Sequence, residues 1–143
     1  MIASGHRLAP FIGAEWPGIP GSLYAGIAVA EPADGYHDDA HLVVLPGSMT
    51  QRLDQRGCID WAAQQGEDAH APTHREGAII AANLRGRLDM SVSWWFWTAA
   101  PFGSGYAWYG NLLRGSIDYD YRSSLGGAVA VRRFAIPSSQ EAA

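Results

Sequence analysis

The chain has 143 residues with 48% apolar content, the size of one domain with one core, and its 17 Gly and 8 Pro argue for turns and short elements over a helical bundle. Net charge is −4 and the ten basic residues, all Arg, are scattered apart from Arg85/Arg87 and Arg132/Arg133, which leaves no electrostatic footprint for nucleic acid. Cys58 is the one cysteine, so an intramolecular disulfide is excluded.

Met1 to Pro10 has no long apolar stretch after a basic start, so neither a signal peptide nor a membrane span is expected. Synthesis and folding in the cytoplasm follow as the expectation, with later association with a virion left open. Residues 1–22 carry Pro10, Pro17, Gly18, Pro20 and Gly21 and read as an irregular arm, which Phe11, Ile12 and Trp16 can anchor by ordinary local packing or against a partner subunit. Residues 23–143 read as a single domain.

Leu23 to Ala30 reads as a strand between Gly21 and Pro32, and His41 to Leu45 as a second, so the two form a hairpin around the polar turn at 31–40. Ser48 or Thr50 can cap a following helix, whose firmest part runs from Cys58 to Gln65 with Gly66 at its end. Thr73 and Glu76 have the spacing of a capping box, and Ile79, Ile80, Asn83, Leu84 and Leu88 recur with helical period. From Ser91 the period changes to two. Trp94–Thr98, Ala107–Leu113, Gly115–Tyr121 and Ala128–Phe134 read as strands, with Arg114-Gly115 as a tight turn. The order is hairpin, two helices, then antiparallel strands: an α+β plan in which the first and last strands can share a sheet.

The words Phe96-Trp97-Thr98, Ala107-Trp108, Gly115 and Val131-Arg132 occur in an order that resembles the Lcl C-terminal-type domain of phage and bacterial proteins. Upstream, Pro72-Thr73-His74-Arg75-Glu76 and Ala82-Asn83-Leu84 match that family's helix start more loosely, so the resemblance spans about residues 58–134. It implies a C-type-lectin-like fold, whose closing strands present side chains to ligands. Ala71 and His74 depart from the pattern, and the strand from Asp118 to Arg122 lacks the Asn-rich composition of retroelement-diversified members.

Catalytic and metal chemistry are disfavoured. An oxidase of the formylglycine-generating type, which shares that fold, needs reactive cysteines, whereas Cys58 sits among Ile59 and Trp61 as a buried thiol. His70 and His74 are four apart with Asp68 nearby, but Pro72 interrupts any helix carrying both. His37, Asp38, Asp39 and His41 fall in a polar turn, and Glu31-Pro32-Ala33-Asp34 resembles a calcium-lectin loop at the wrong end of the chain. No phosphate loop or nucleophile elbow is present, so no enzyme, cofactor or metal is expected.

Most of the six Trp and six Tyr lie between Trp94 and Tyr121. The candidate ligand-binding residues are Phe102, Tyr106, Tyr109, Asn111, Arg114, Asp118, Tyr119, Tyr121 and Arg122, a composition typical of protein-recognition surfaces. Trp94 or Trp95, Trp97 and Trp108 are assigned to the core, and each Tyr is left open between core and interface. The expected function is binding of a protein or glycan target by a phage- or prophage-type module. An inhibitor of a host defence protein and a homo-oligomeric virion subunit are the alternatives; nucleic acid and membrane are not expected partners.

Overall fold

A computed structural model describes residues 10–137; the ends of the expected arm and domain, residues 1–9 and 138–143 with His6 among them, lie outside the described residues. Among the described residues the architecture is α+β, with two α-helices and two mostly antiparallel sheets. Strand β1 (Leu23–Ala28) pairs with β2 (Ala40–Val44), and β2 pairs with β8 (Val131–Ala135), giving a sheet of order β1-β2-β8 that joins the two ends of the domain. The second sheet has the order β3-β7-β4-β5-β6, from β3 (Arg52–Leu53), β7 (Gly126–Gly127), β4 (Trp95–Pro101), β5 (Tyr106–Asn111) and β6 (Ser116–Tyr121). Its one parallel contact is Phe96 with Gly127.

Period-two alternation on β4 sends Trp95 and Trp97 to one face and Phe96 and Thr98 to the other, and all four are buried. Phe96 joins Leu42, Val44, Ile80, Leu84, Leu112 and Val131 in the main core, while Trp95 and Trp97 point the other way onto Cys58, Ala107, Tyr109 and Ala128. The sheet is therefore covered on both sides at β4, and the cover thins towards β6. Trp94, placed before β4, is 41% exposed.

Helix α1 (Gln55–Ala63) starts later than expected. Its cap is Asp54, which accepts from the Gly57 amide at 2.8 Å, and not Ser48 or Thr50. The chain must first turn at Pro46-Gly47, bury Met49 and extend as β3 against β7, so no helix can begin at residue 50. The last strand, expected over Ala128–Phe134, begins only at Val131, and the two glycines ahead of the expected start pair separately as β7. Glycine is required there because a Cβ on Gly126 would meet the Trp95 ring at 2.5 Å and one on Gly127 would meet Met49 Sδ at 2.6 Å.

Helix α2 (His74–Asn83) carries the expected capping box: Thr73 Oγ1 accepts from the Glu76 amide at 3.1 Å and Glu76 Oε1 from the Thr73 amide at 3.0 Å. Leu88 lies beyond the helix, which leaves helical geometry at Leu84, and reaches the core from a following turn. Thr73→Ala removes one half of the box and a hydrogen bond to Glu31, so a loss of about 1–2 kcal/mol is expected in urea unfolding.

The first residues of the arm that are described lie along β1. Gly13 donates to the Tyr24 carbonyl and Tyr24 to the Ala14 carbonyl, while Trp16 packs on Tyr24, His41 and Phe134 at 5.1–5.4 Å between ring centres. Phe11 remains 89% exposed. Among the described residues no helix is long and apolar enough to cross a membrane.

Candidate functional site

The β5–β6 hairpin sets the geometry of the aromatic segment. Asn111 Oδ1 accepts from the Leu113 and Arg114 amides, and Gly115 takes a left-handed φ of 73°, so the chain reverses tightly. The resulting register places Tyr106 opposite Tyr121, Trp108 opposite Tyr119 and Gly110 opposite Ile117, all on one face. Helix α2 packs over the Ile117 end of this face, and its N-terminal residue is His74, whose ring meets Trp108 edge-on at 5.0 Å.

Beyond His74 the face carries a continuous row of rings. Phe102, from the β4–β5 loop, lies 4.4 Å from Trp108 and 4.6 Å from Tyr119. Tyr119 lies 5.8 Å from Tyr106, which stacks on Tyr121 at 4.7 Å. Phe102, Tyr119 and Tyr121 are 40%, 48% and 58% exposed. The backbone beneath is fixed: the Arg122 guanidinium donates to the Tyr106 carbonyl at 2.8 Å and the Gly103 carbonyl at 3.3 Å, and Phe102 donates to the Tyr106 carbonyl at 2.9 Å.

Of the nine candidates, Phe102, Tyr106, Tyr119 and Tyr121 are brought together on this face. Tyr109 is not among them. Strand alternation turns it to the opposite face, where it is 8% exposed and 4.6 Å from Trp95, and burial pushes its phenol up from the ordinary range. Asn111 is also buried, and its amide oxygen serves the hairpin turn. Arg114 projects from that turn, Asp118 lies on the Tyr109 face, and Arg122 is half-buried beneath the loop as its brace. Trp108, assigned to the core from its place in the family-like words, is half-buried and forms the middle of the row. Its signal was its alternation with Tyr109, which puts it on the Tyr106 face.

Strand β6 is an outer strand of its sheet. The Tyr119 and Tyr121 amides donate to the carboxylates of Asp118 and Asp120 at 2.8 and 2.6 Å. Carboxylates along an outer strand oppose the addition of another strand, so contact through the ring face is favoured over contact through the edge.

A second concentration of chemistry lies around the cap and first turn of α2, at the same N-terminal end that carries His74. Glu76 is wholly buried; it accepts from His70 Nε2 at 2.9 Å, Arg133 Nε at 2.6 Å and the Thr73 amide. Arg133 also donates to Glu31 at 2.5 Å, and Tyr36 stacks on both His70 and Arg133 at 4.9 and 4.4 Å. Burial acts to raise the Glu76 carboxyl, but His70, the Thr73 amide and Arg133 together hold it below the ordinary range. Burial pushes the Tyr36 phenol up to about 12, aided by the Glu76 charge. Tyr36, Asp68, Ala69, His70 and Arg133 border a groove of about 460 Å³ beside this cluster. Every buried polar side-chain atom among the described residues has a hydrogen-bond partner.

His70 and His74, considered as a metal pair, serve different ends: His70 binds Glu76 and His74 packs on Trp108. Among the described residues no group of three or more His, Cys, Asp or Glu is arranged to hold a metal ion. The Cys58 thiol is buried and its pKa is raised to about 12, mainly by desolvation. No protein-family model matches the chain, and no curated protein matches it.

Proposed function

We propose that this protein is a non-catalytic binding module with a C-type-lectin-like fold, related to the Lcl C-terminal-type domains, that recognises a protein or glycan target through the ring face of β5 and β6. The fold reading is supported by a first and last strand sharing one sheet, two helices placed between them in sequence, and a second sheet built from the closing strands. The phage or prophage origin rests on the sequence words alone.

One observation carries the functional reading: Phe102, Trp108, Tyr119, Tyr106 and Tyr121 touch in series, and the row is open to solvent beyond the N-terminus of α2. Rigid aromatic side chains give large contact area at low entropic cost, and clustered apolar exposure marks interaction surfaces. The charged cluster supports the same reading. Both nitrogens of His70 face acceptors, Glu76 and the Asp68 carbonyl, which leaves no ring nitrogen free to act as a base. The carboxylates on the β6 edge favour a heterologous target over strand-to-strand assembly of a virion subunit.

The test is comparative. Wild type and a Tyr119→Ala/Tyr121→Ala variant are presented to a glycan array and to bacterial lysate, and the retained ligand is then measured by calorimetry. Both side chains are about half exposed, so folding is expected to change by about 1 kcal/mol or less, while affinity falls roughly 30-fold or more if they are interface anchors. Tyr109→Ala is the contrasting variant, expected to lower stability by about 3 kcal/mol through the cavity it leaves. Undiminished affinity in the double variant removes the ring face from consideration.

A further inference from the structure

The chain segment ahead of α2 is tied down by His70. The His70 amide and carbonyl bridge to Val131 at 3.0 and 2.8 Å, and the ring contacts two acceptors at once. Nδ1 lies 3.2 Å from the Asp68 carbonyl and Nε2 lies 2.9 Å from Glu76 Oε1. A carbonyl oxygen can only accept. Glu76 also receives bonds from Arg133 and the Thr73 amide, as an ionised carboxylate does. Both contacts are satisfied together only when both ring nitrogens carry a proton.

Asp68 sits in the left-handed region with a φ of 62°, a conformation that a non-glycine residue adopts at a cost. Its carbonyl is thus held towards the ring by the same contact that secures the turn. The charged and titratable groups around the ring are Glu76 from α2, Arg133 from β8, Glu31, Asp34 and Tyr36 from the β1–β2 connection, and Asp68 from the turn itself. With His70 protonated, its charge and that of Arg133 balance Glu31 and Glu76. Without that proton, Arg133 alone faces two carboxylates.

We propose that His70 is a proton-controlled latch, whose imidazolium closes the 66–70 turn onto α2 and β8 and whose loss of one proton as pH rises releases that turn. The buried Glu76 carboxylate retains the remaining N–H, because losing that bond would set a ring lone pair against a carboxylate. The Asp68 carbonyl is the partner given up. The turn borders the groove beside Tyr36, so release loosens one wall of that groove.

The linkage has a definite sign. Burial lowers the affinity of His70 for its second proton, but the hydrogen bond and charge of Glu76 outweigh it and raise the pKa above its ordinary value. The latch therefore contributes fully below about 6.5, the unfolded value, and is lost as pH rises through the folded value.

Amide hydrogen exchange, corrected for intrinsic rates, tests this on the intact chain at about pH 5.5 and about pH 8.5, which bracket the histidine range. Protection at Ala69 and His70 is expected to fall about tenfold at the higher pH, with little change in α2, the scale of one charge-assisted hydrogen bond. His70→Gln offers no second proton and is expected to show no such step. Equal protection in wild type at both pH values, or a step of the same size in His70→Gln, overturns the proposal. Should the variant fold poorly, the wild-type ring titration followed by NMR decides: the Asp68 carbonyl shift must move with the His70 ring, and independent movement overturns the latch.

Discussion

Glu76→Gln is expected to lower the unfolding free energy by about 3–5 kcal/mol, the usual effect of removing one partner from a buried ion pair. Glu76 has no solvent exposure, and its two oxygens face an imidazolium, a guanidinium and a backbone amide. A glutamine matches its shape but brings one NH₂ group among donors and supplies no charge. His70 and Arg133 are then left with Glu31 as the nearby carboxylate, and Glu31 contacts only Arg133 of the two. Urea unfolding should show a lower midpoint with an unchanged slope, since the surface exposed on unfolding is the same. The comparison with Thr73→Ala matters, because that change leaves the charged partners in place and removes only the cap contact and one hydrogen bond to Glu31.

The acid limb gives an independent check on the same residue. The folded Glu76 carboxyl lies below its ordinary range, so its contribution is present above the unfolded value of about 4.3 and disappears as pH falls through the folded value. His70 acts in the opposite sense, its contribution fading as pH rises. Wild type should be most stable between these limits, and Glu76→Gln should lose part of the acid slope. An acid slope identical in the two proteins means that Glu76 does not hold the charge assigned to it.

What the sequence made visible was local or periodic. Thr73 and Glu76 are three apart, and the capping box follows from that spacing alone. Tyr119 and Tyr121 share a face with Ile117 because strand side chains alternate, and the pairing in the structure keeps that parity. Parity does not say which face is covered. Tyr109 and Trp108 are adjacent, and their roles depend on where α2 begins and on how Trp95 and Trp97 pack from another strand. Asn111 and Arg122 look like recognition residues by type, yet the loop carbonyls and turn amides around them claim their polar atoms. The cluster of Glu31, His70, Glu76 and Arg133 joins four separate parts of the chain, so no linear pattern contains it. The four-residue spacing of His70 and His74 suggests a shared ligand, whereas the partners of His70 are Glu76 and a backbone carbonyl of its own turn.

Gly110→Ala is the other substitution expected to be severe, with a loss of about 3 kcal/mol or more. A Cβ at this position would lie 2.1 Å from Phe96 Cζ and 2.3 Å from Cε2, well inside contact distance. Phe96 is fully buried against Ile80, Leu84 and Leu112, so its ring has no open side to move into. Overpacking ordinarily costs about 1–3 kcal/mol, and more where neighbours cannot yield. Gly110 also sits in the middle of β5, paired to Phe96 on one side and Ile117 on the other, so the strand cannot shift without disturbing both ladders. Trp108 lies two residues away on the same face, and any displacement of β5 passes directly into the ring row. A double-mutant cycle isolates the cause. Phe96→Leu removes the atoms that a Cβ would strike, so the combined variant should be more stable than the sum of the single losses predicts, by about 1–3 kcal/mol. Additive losses across the cycle would place the cost in backbone conformation, and the close approach of ring and strand would lose its claim to position the binding face.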